Sequence, residues 1–248
     1  MIRPLLVLAT TGPGAEVGLA LPGPGGAHAL HRQALGAGAA RGRDLLPAVQ
    51  RLLGAAGLAP RDLAAVLVDR GPGSFTGVRL GVTAAKGLAL GLSIPVLGLE
   101  SLEVLCHAAP HEHAVLAVRD AGRGTVYATL HGPAPAPGGA RAVRHAPARL
   151  AASDLRTLDP EALLVGEEAV RLASEHALPQ RPLLRAADAP AVLALGLRRL
   201  AEGAAHEALH LVPTYLQASA PERLRAGEAA GAGGGASRTK GADAGGPA

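Results

Sequence analysis

Gly71, Gly73, Ser74, Thr76 and Gly77, within "DRGPGSFTGVRL", are the residues whose types and spacing most invite a chemical reading. Glycines after an apolar run let a backbone approach a phosphate closely. Hydroxyls at a helix start add donors where free N–H groups already favour an anion. The spacing, however, matches neither phosphate signature. GxxxxGK[ST] is absent, and Gly71, Gly73 and Gly77 give GxGxxxG, one residue longer than the dinucleotide fingerprint. The acid expected about twenty positions further on is missing, and Ser93 stands there. A tight strand-to-helix turn is therefore the first reading, and a phosphate loop at Gly71, Gly73, Ser74 and Thr76 the second.

Other reactive groups are weaker candidates. His107 and His111 have the HxxxH spacing that binds zinc on a helix, with His113 close by. Pro110 stands between them and should end the helix, so a solvated loop is expected and no metal site. Cys106 is the sole cysteine, which excludes an intramolecular disulfide and fits a reducing compartment. Glu167 and Glu168 follow an apolar run and read as a helix start, where acids favour the dipole. Asp120 and Tyr127 flank a hairpin turn. No Ser, His and Asp set suggests a catalytic triad, so no catalytic residue is assigned.

These groups must be positioned by a mixed α/β layer. "LLVLA" (5–9) reads as a buried strand, and "EVGLAL" (16–21) and "HALHRQAL" (28–35) complete a meander. Leu45, Leu46, Val49, Leu52 and Leu53 recur at helical spacing over 43–57, with Pro47 in the first turn and Gly57 as C-cap. "LAAVLVD" (63–69) is a strand, 77–92 a helix, "IPVLGL" (94–99) a strand and 101–108 a helix capped by Ser101. "AVLAVRD" (114–120) and "TVYATLH" (125–131) form a hairpin, and "GPAPAPGG" a loop. A strand at 161–166 and helices near 167–177 and 189–203 follow, then "LHLVPTYLQ" (209–217) as strand or irregular chain. From residue 218 the Gly/Ala-rich composition cannot bury enough surface to fold, and a disordered tail over 218–248 is expected.

The helix at 77–92 carries Gly81, Gly87 and Gly91 in its interior, each costing about 1 kcal/mol relative to Ala. Gly77, Gly81, Ala84, Ala85 and Leu88 lie near one side, while Arg79, Thr83 and Lys86 form a second stripe. Small side chains let another backbone come close. That backbone could belong to the chain's own helix at 43–56 or to a partner chain, and spacing leaves both open.

Composition bounds the rest. The chain has 248 residues, 48% hydrophobic, with one Phe, two Tyr and no Trp, so Ala, Leu and Val must fill the core. The formal charge of +4 comes without interleaved aromatics to stack bases and reads as solubility. Residues 87–99 are uncharged but too short for the ~20 apolar residues of a membrane span. A soluble, cytoplasmic protein is expected, with no membrane partner.

"GPGSFTGVRLGVTAAKGLAL" followed by "IPVLGLESLEVL" closely resembles the TsaB family, also called YeaZ. Looser matches are "LLPAVQRLL", "GLAPRDLAAV", "RDAGRGTVYA" and "PTYLQ", in the family's order over roughly residues 2 to 217. The resemblance implies an actin-like, Hsp70-like (ASKHA) α/β fold of two related lobes, here 1–108 and a reduced 109–217. It implies a non-catalytic partner of TsaD, which transfers threonylcarbamoyl to N6 of adenosine 37 in tRNAs reading codons that begin with A. A TsaE-like ATPase completes that complex, and tRNA is reached through it. ATP and a metal ion belong to the partner subunits, with no cofactor on this chain. TsaB pairs with TsaD, or with a second copy of itself, through two helices that fall here at 43–56 and 77–92. The implied contacts are Leu45, Leu46, Val49, Leu53, Gly77, Val78, Arg79, Gly81, Val82, Ala85 and Lys86. The chain departs from the family pattern at three places: Ala9-Thr10-Thr11-Gly12 stands where a DTST-like string is usual, Arg41 where a His is frequent, and Gly122 where an Arg is common. The alternatives left open are an independent ATP-binding enzyme of the same fold and an inactive glycoprotease-like homodimer.

Overall fold

The computed structural model describes residues 3–205 and 208–216. Among the described residues, ten strands form two five-stranded mixed sheets. In the first, β1 (Leu5–Ala9) pairs antiparallel with β2 (Glu16–Pro22), and β2 with β3 (His28–Ala34). On its other side β1 runs parallel to β4 (Ala65–Asp69), and β4 to β5 (Val96–Leu99). The second sheet repeats this scheme. β6 (Val115–Gly122) and β7 (Thr125–His131) pair antiparallel, as do β7 and β8 (Val143–Ala151). β6 runs parallel to β9 (Leu163–Gly166), and β9 to β10 (Arg181–Leu184). Each sheet thus has the order third, second, first, fourth, fifth strand, the duplicated α/β arrangement of the actin-like class.

The helices fill equivalent places. In the first half α1 (Ala39–Ala55) precedes β4, α2 (Phe75–Leu92) follows it, and α3 (Ser101–His107) follows β5. In the second half α1 is reduced to 3-10 turns at Ala152–Thr157, while α4 (Ala169–Glu175) and α5 (Ala189–Ala201) correspond to α2 and α3.

Strand pleating sorts side chains into three cores. Leu6 and Leu8 of β1 and Val66 and Val68 of β4 face α1 and α2. Val7, Leu67, Val115 and Ala117 meet α3 and α5 in a core shared by both sheets. Leu116, Val118 and Leu164 pack on α4 and the 152–157 turns. Strands covered on both faces read as unbroken apolar runs, which is why β1, β4, β6 and β9 were visible in sequence.

Several boundaries differ from expectation. Helix α1 begins four residues before Arg43, so Pro47 is its ninth residue and lies in its interior, not its first turn. An interior proline costs about 3 kcal/mol. Burial of Leu45, Ala48, Val49 and Leu53 on the sheet holds the helix regardless. Helix α2 starts at Phe75, two residues before the expected start, because Ser74 is its N-cap: the Ser74 hydroxyl accepts from the Gly77 N–H at 3.4 Å. Ser101 is not a cap: Glu100 holds that position, and the Ser101 hydroxyl turns elsewhere. Strands β8 and β10 were not expected. Both are edge strands, mostly exposed and carrying Pro147 and Pro182, so neither shows apolar alternation. Residues 208–210 form a 3-10 turn followed by irregular chain. Gln217 and the expected tail at 218–248 lie outside the described residues. No described helix is long and apolar enough to cross a membrane.

Candidate functional site

In an open α/β sheet, ligands sit at the carboxyl ends of the strands. Here those ends, from β1, β4 and β5 of one sheet and β6 and β9 of the other, deliver Thr10, Thr11, Asp69, Ser101, Arg119 and Glu167 to one junction. Asp69 is fully buried. Its carboxylate accepts from the Thr11 hydroxyl, from Ser101 Oγ at 2.5 Å and from the Gly71 N–H at 3.0 Å. Arg119, 4% exposed, enters from β6 and stands 3.7 Å from Asp69. Its Nη1 donates to Thr11 Oγ1 at 2.7 Å, and its Nη2 donates to Glu167 at 3.3 Å. Burial pushes the Asp69 carboxyl above its ordinary range, against the opposite pull of Arg119, Ser101, Thr11 and Gly71. Glu167 is pushed up too, by burial first, with Arg119 pulling it down.

The glycine loop is absorbed into this junction. Gly71 spends its N–H on Asp69 and adopts φ 96°, a conformation that favours glycine. Ser74 donates its N–H to the Thr11 carbonyl at 3.0 Å. A Cβ on Gly73 would stand 2.8 Å from the Thr11 carbonyl oxygen, and one on Gly12 would stand 2.7 Å from Glu167 Oε1. Thr76 is exposed in the first turn of α2. Two of the loop's N–H groups are thus already paired. Arg119 supplies the positive charge that a cation would bring to Asp69, and Ala9 offers no carboxylate. These residues do not fit a nucleotide and its metal. The Thr11 and Ser101 hydroxyls both donate to Asp69, and the Thr10 hydroxyl donates to the Gly77 carbonyl.

The remaining groups have structural partners. Glu167 serves Arg119 instead of starting a helix, while Glu168 occupies the N-cap of α4. Asp120 accepts from the Gly122 N–H at 2.6 Å, closing the hairpin turn, and pairs with Arg171 at 2.9 Å. Tyr127, partly buried, packs against the core between the sheets. Helix α3 ends at His107, so His111 and His113 lie on the loop beyond it. Among the described residues no three His, Cys, Asp or Glu side chains gather as a metal site.

The small-residue stripe on α2 has an internal cause. A Cβ on Gly77 would collide with the Thr10 carbonyl oxygen, and one on Gly81 with Thr10 Oγ1. The close approach is to Thr10, just past the end of the chain's own β1, with Arg41 of α1 also beside Gly77. Leu45, Val49, Leu53, Gly77, Val78, Gly81, Val82 and Ala85 are all buried in the core beneath α1 and α2. Leu46 is 51% exposed. Arg79 and Lys86 reach the surface but engage residues 208–215: Arg79 Nε donates to the Tyr215 hydroxyl at 3.0 Å, and Lys86 Nζ to the Leu209 carbonyl at 3.1 Å. Arg79 also stacks 3.9 Å from the centre of the Phe75 ring. Gly87 and Gly91 face outward with nothing within 4 Å of an added Cβ.

Arg119 was missed in the sequence, although an arginine inside "AVLAVRD" signals a buried charge that needs a partner. Its partners lie 50 positions upstream and 48 downstream, beyond any local pattern.

A family model described as "TsaD: tRNA N6-adenosine threonylcarbamoyltransferase" matches residues 37–134. The "tRNA threonylcarbamoyladenosine biosynthesis protein TsaB" of Bacillus subtilis (strain 168) is 46% identical over 87 residues, 35% of this chain. The protein so named in Escherichia coli (strain K12) is 43% identical over 86 residues, 34% of this chain. These matches span only 38% and 37% of those proteins' own lengths. The solved structure "YeaZ from Pseudomonas aeruginosa" extends the likeness: 30% identity and a TM-score of 0.70, covering 87% of this chain and 100% of that one. On the fold, the glycine block and this full-length likeness, the chain belongs to the TsaB/YeaZ family.

Proposed function

We propose that this chain is a non-catalytic subunit of the complex that adds threonylcarbamoyl to N6 of adenosine 37 in tRNAs reading ANN codons, where it binds and stabilises a TsaD-like catalytic subunit. A TsaE-like ATPase and tRNA join through the complex, and ATP and its metal reside on the partners. The observation that carries the reading is the closed junction. Asp69, the one fully buried carboxylate there, is consumed by Thr11, Ser101, Gly71 and Arg119. That leaves the fold's strand-end crevice as a structural seam.

The docking face is the outer side of α1 and α2, around Leu46, Thr83, Gly87 and Gly91, with Arg79 and Lys86 at its margin. A second copy of the chain competes for the same face. Gly87→Leu tests it: the new side chain points into open space and improves helix propensity, so the fold survives while the surface acquires a bulky projection. Co-purification with the TsaD-like subunit should be lost. Its survival would place the interface elsewhere. Calorimetry of the isolated chain with Mg-ATP should show no binding, and micromolar affinity would favour an ATP-dependent enzyme instead.

A further inference from the structure

A cavity of about 440 Å³ opens between α3, α5, β7 and the loop before β8, and shares no lining residue with the junction or with α1 and α2. Its size falls within the range of small-molecule sites, roughly 300–1,000 Å³. Cys106, Thr129 and Leu195 provide low-polarity walls. The Cys106 thiol is pushed up to about 12 by burial, which keeps it protonated and inert.

The charges around the cavity do not cancel. Glu100 pairs with Arg70 at 2.9 Å. Glu103 is shared by Arg198 and Arg199, which also hold Glu202. Arg141 faces no carboxylate within ion-pair distance among the described residues. Its guanidinium is fixed instead by four carbonyl oxygens, of Ala109, Pro110, His113 and Gly132. It acts through charge, because its terminal N–H groups are already bonded. His131 is the complementary feature. It is 7% exposed, lines the cavity, and makes no side-chain hydrogen bond among the described residues. Its ring nitrogens are not among the sealed, unpartnered atoms of the fold, so they open on the cavity, where a ligand could supply a hydrogen-bond partner.

We propose that this cavity binds a small organic anion with an apolar body, a carboxylate or a phosphate monoester, whose head group hydrogen-bonds His131 in the positive field of Arg141. The reading is independent of the pairing role above, and its failure would leave that role untouched.

The test uses the full chain, with benzoate and phenyl phosphate as probes and benzylammonium as the charge-reversed control. Histidine ring resonances are followed by NMR, and stability by thermal unfolding. At least one anion should shift the His131 resonances saturably in the millimolar range, and the better binder identifies the head group. His131→Leu should weaken anion binding at least tenfold. Ala140→Glu adds a negative charge on an exposed lining residue, should leave the fold intact and should weaken binding several-fold. It decides the matter should His131→Leu fail to fold. The proposal is overturned if neither anion moves the His131 signals, if benzylammonium binds as well, or if anion binding survives unchanged in the variants.

Discussion

The glycines of α2 should split into two classes when each is changed to Ala. Gly87 and Gly91 face open space, so Ala contributes only its better helix propensity, about 0.5–1 kcal/mol of added stability. At Gly81 the same gain is opposed by contact with Thr10 Oγ1, which is held by its own hydrogen bond to the Gly77 carbonyl at 2.7 Å. Overpacking a tight core site costs about 1–3 kcal/mol. Rotating Thr10 away would lose a buried hydrogen bond worth about 1 kcal/mol. Gly81→Ala should therefore lose roughly 0.5–2 kcal/mol net. Gly77→Ala should lose more, because its Cβ meets the Thr10 carbonyl oxygen, a backbone atom that no rotamer can move. Urea denaturation by circular dichroism reads the order directly, provided the m-value is unchanged. A double-mutant cycle sharpens it: Thr10→Ala removes the atom obstructing Gly81 but leaves the one obstructing Gly77. The deficit of Gly81→Ala should therefore shrink in that background while that of Gly77→Ala persists. If Gly81→Ala equals wild type, or Gly87→Ala destabilises, α2 does not lie on β1 as described and its small residues serve another contact.

Further expectations concern the charged groups. Arg119→Met should cost about 3–5 kcal/mol at pH 7, because it strands Asp69 and Glu167 as uncompensated carboxylates. The loss should shrink as pH falls: without Arg119 both folded-state pKa values rise further above the unfolded ones, so the folded form gains relative stability on protonation. Arg171→Met, which breaks exposed pairs to Asp120 and Glu175, should cost no more than about 1 kcal/mol. His107 and His131 are both held below the ordinary 6.5, chiefly by burial, with Arg198 next for His107 and the pull of Glu103 opposing. The unfolded chain therefore takes up protons first, and stability is lost as pH drops from about 6.5 through the folded values. His131→Leu should flatten that slope in pH-dependent denaturation.

What sequence could reveal followed from how each element is buried. β1, β4, β6 and β9 are covered on both faces, so their apolar runs announce them without reference to a neighbour. β8 and β10 depend on one neighbour each and expose most side chains, leaving no periodic mark. The α2 stripe was visible, but its meaning was not. The apolar spacing of Gly77 and Gly81 is the same whether the facing backbone is β1, another helix or another chain. Only the β1–β4 pairing, which brings the β1 end beside the turn into α2, makes Thr10 the neighbour. The junction escaped for a related reason. Asp69, Arg119 and Glu167 come from three strand ends far apart in the chain. Each has an ordinary local reading: a strand end, a hairpin residue and a helix start.

The duplicated topology explains why those three residues meet. Parallel pairing aims the carboxyl ends of β1 and β4 in one sheet, and of β6 and β9 in the other, at the same place. In a fold of this order that place is the natural crevice for a ligand. A crevice needs donors and acceptors left over for its occupant. Here the arginine from β6 crosses to Asp69 and Thr11 of the first half while also holding Glu167 of the second. Glycines at positions 12 and 73 let the surrounding backbone close around it. Opening the two halves would break buried, charge-assisted contacts whose loss costs several kcal/mol, so hinge closure around a ligand is an unfavourable use of this seam. A fixed seam suits a different task. If the outer face of α1 and α2 docks a partner as proposed above, the seam holds the first sheet that carries it in one orientation beforehand. A preorganised docking face binds with less conformational entropy to lose. The measurable consequence is that Arg119→Met should weaken pairing with a TsaD-like subunit although Arg119 is buried in the seam and not part of the proposed docking face. A variant that loses stability but keeps full affinity would show that the seam and the docking face are uncoupled.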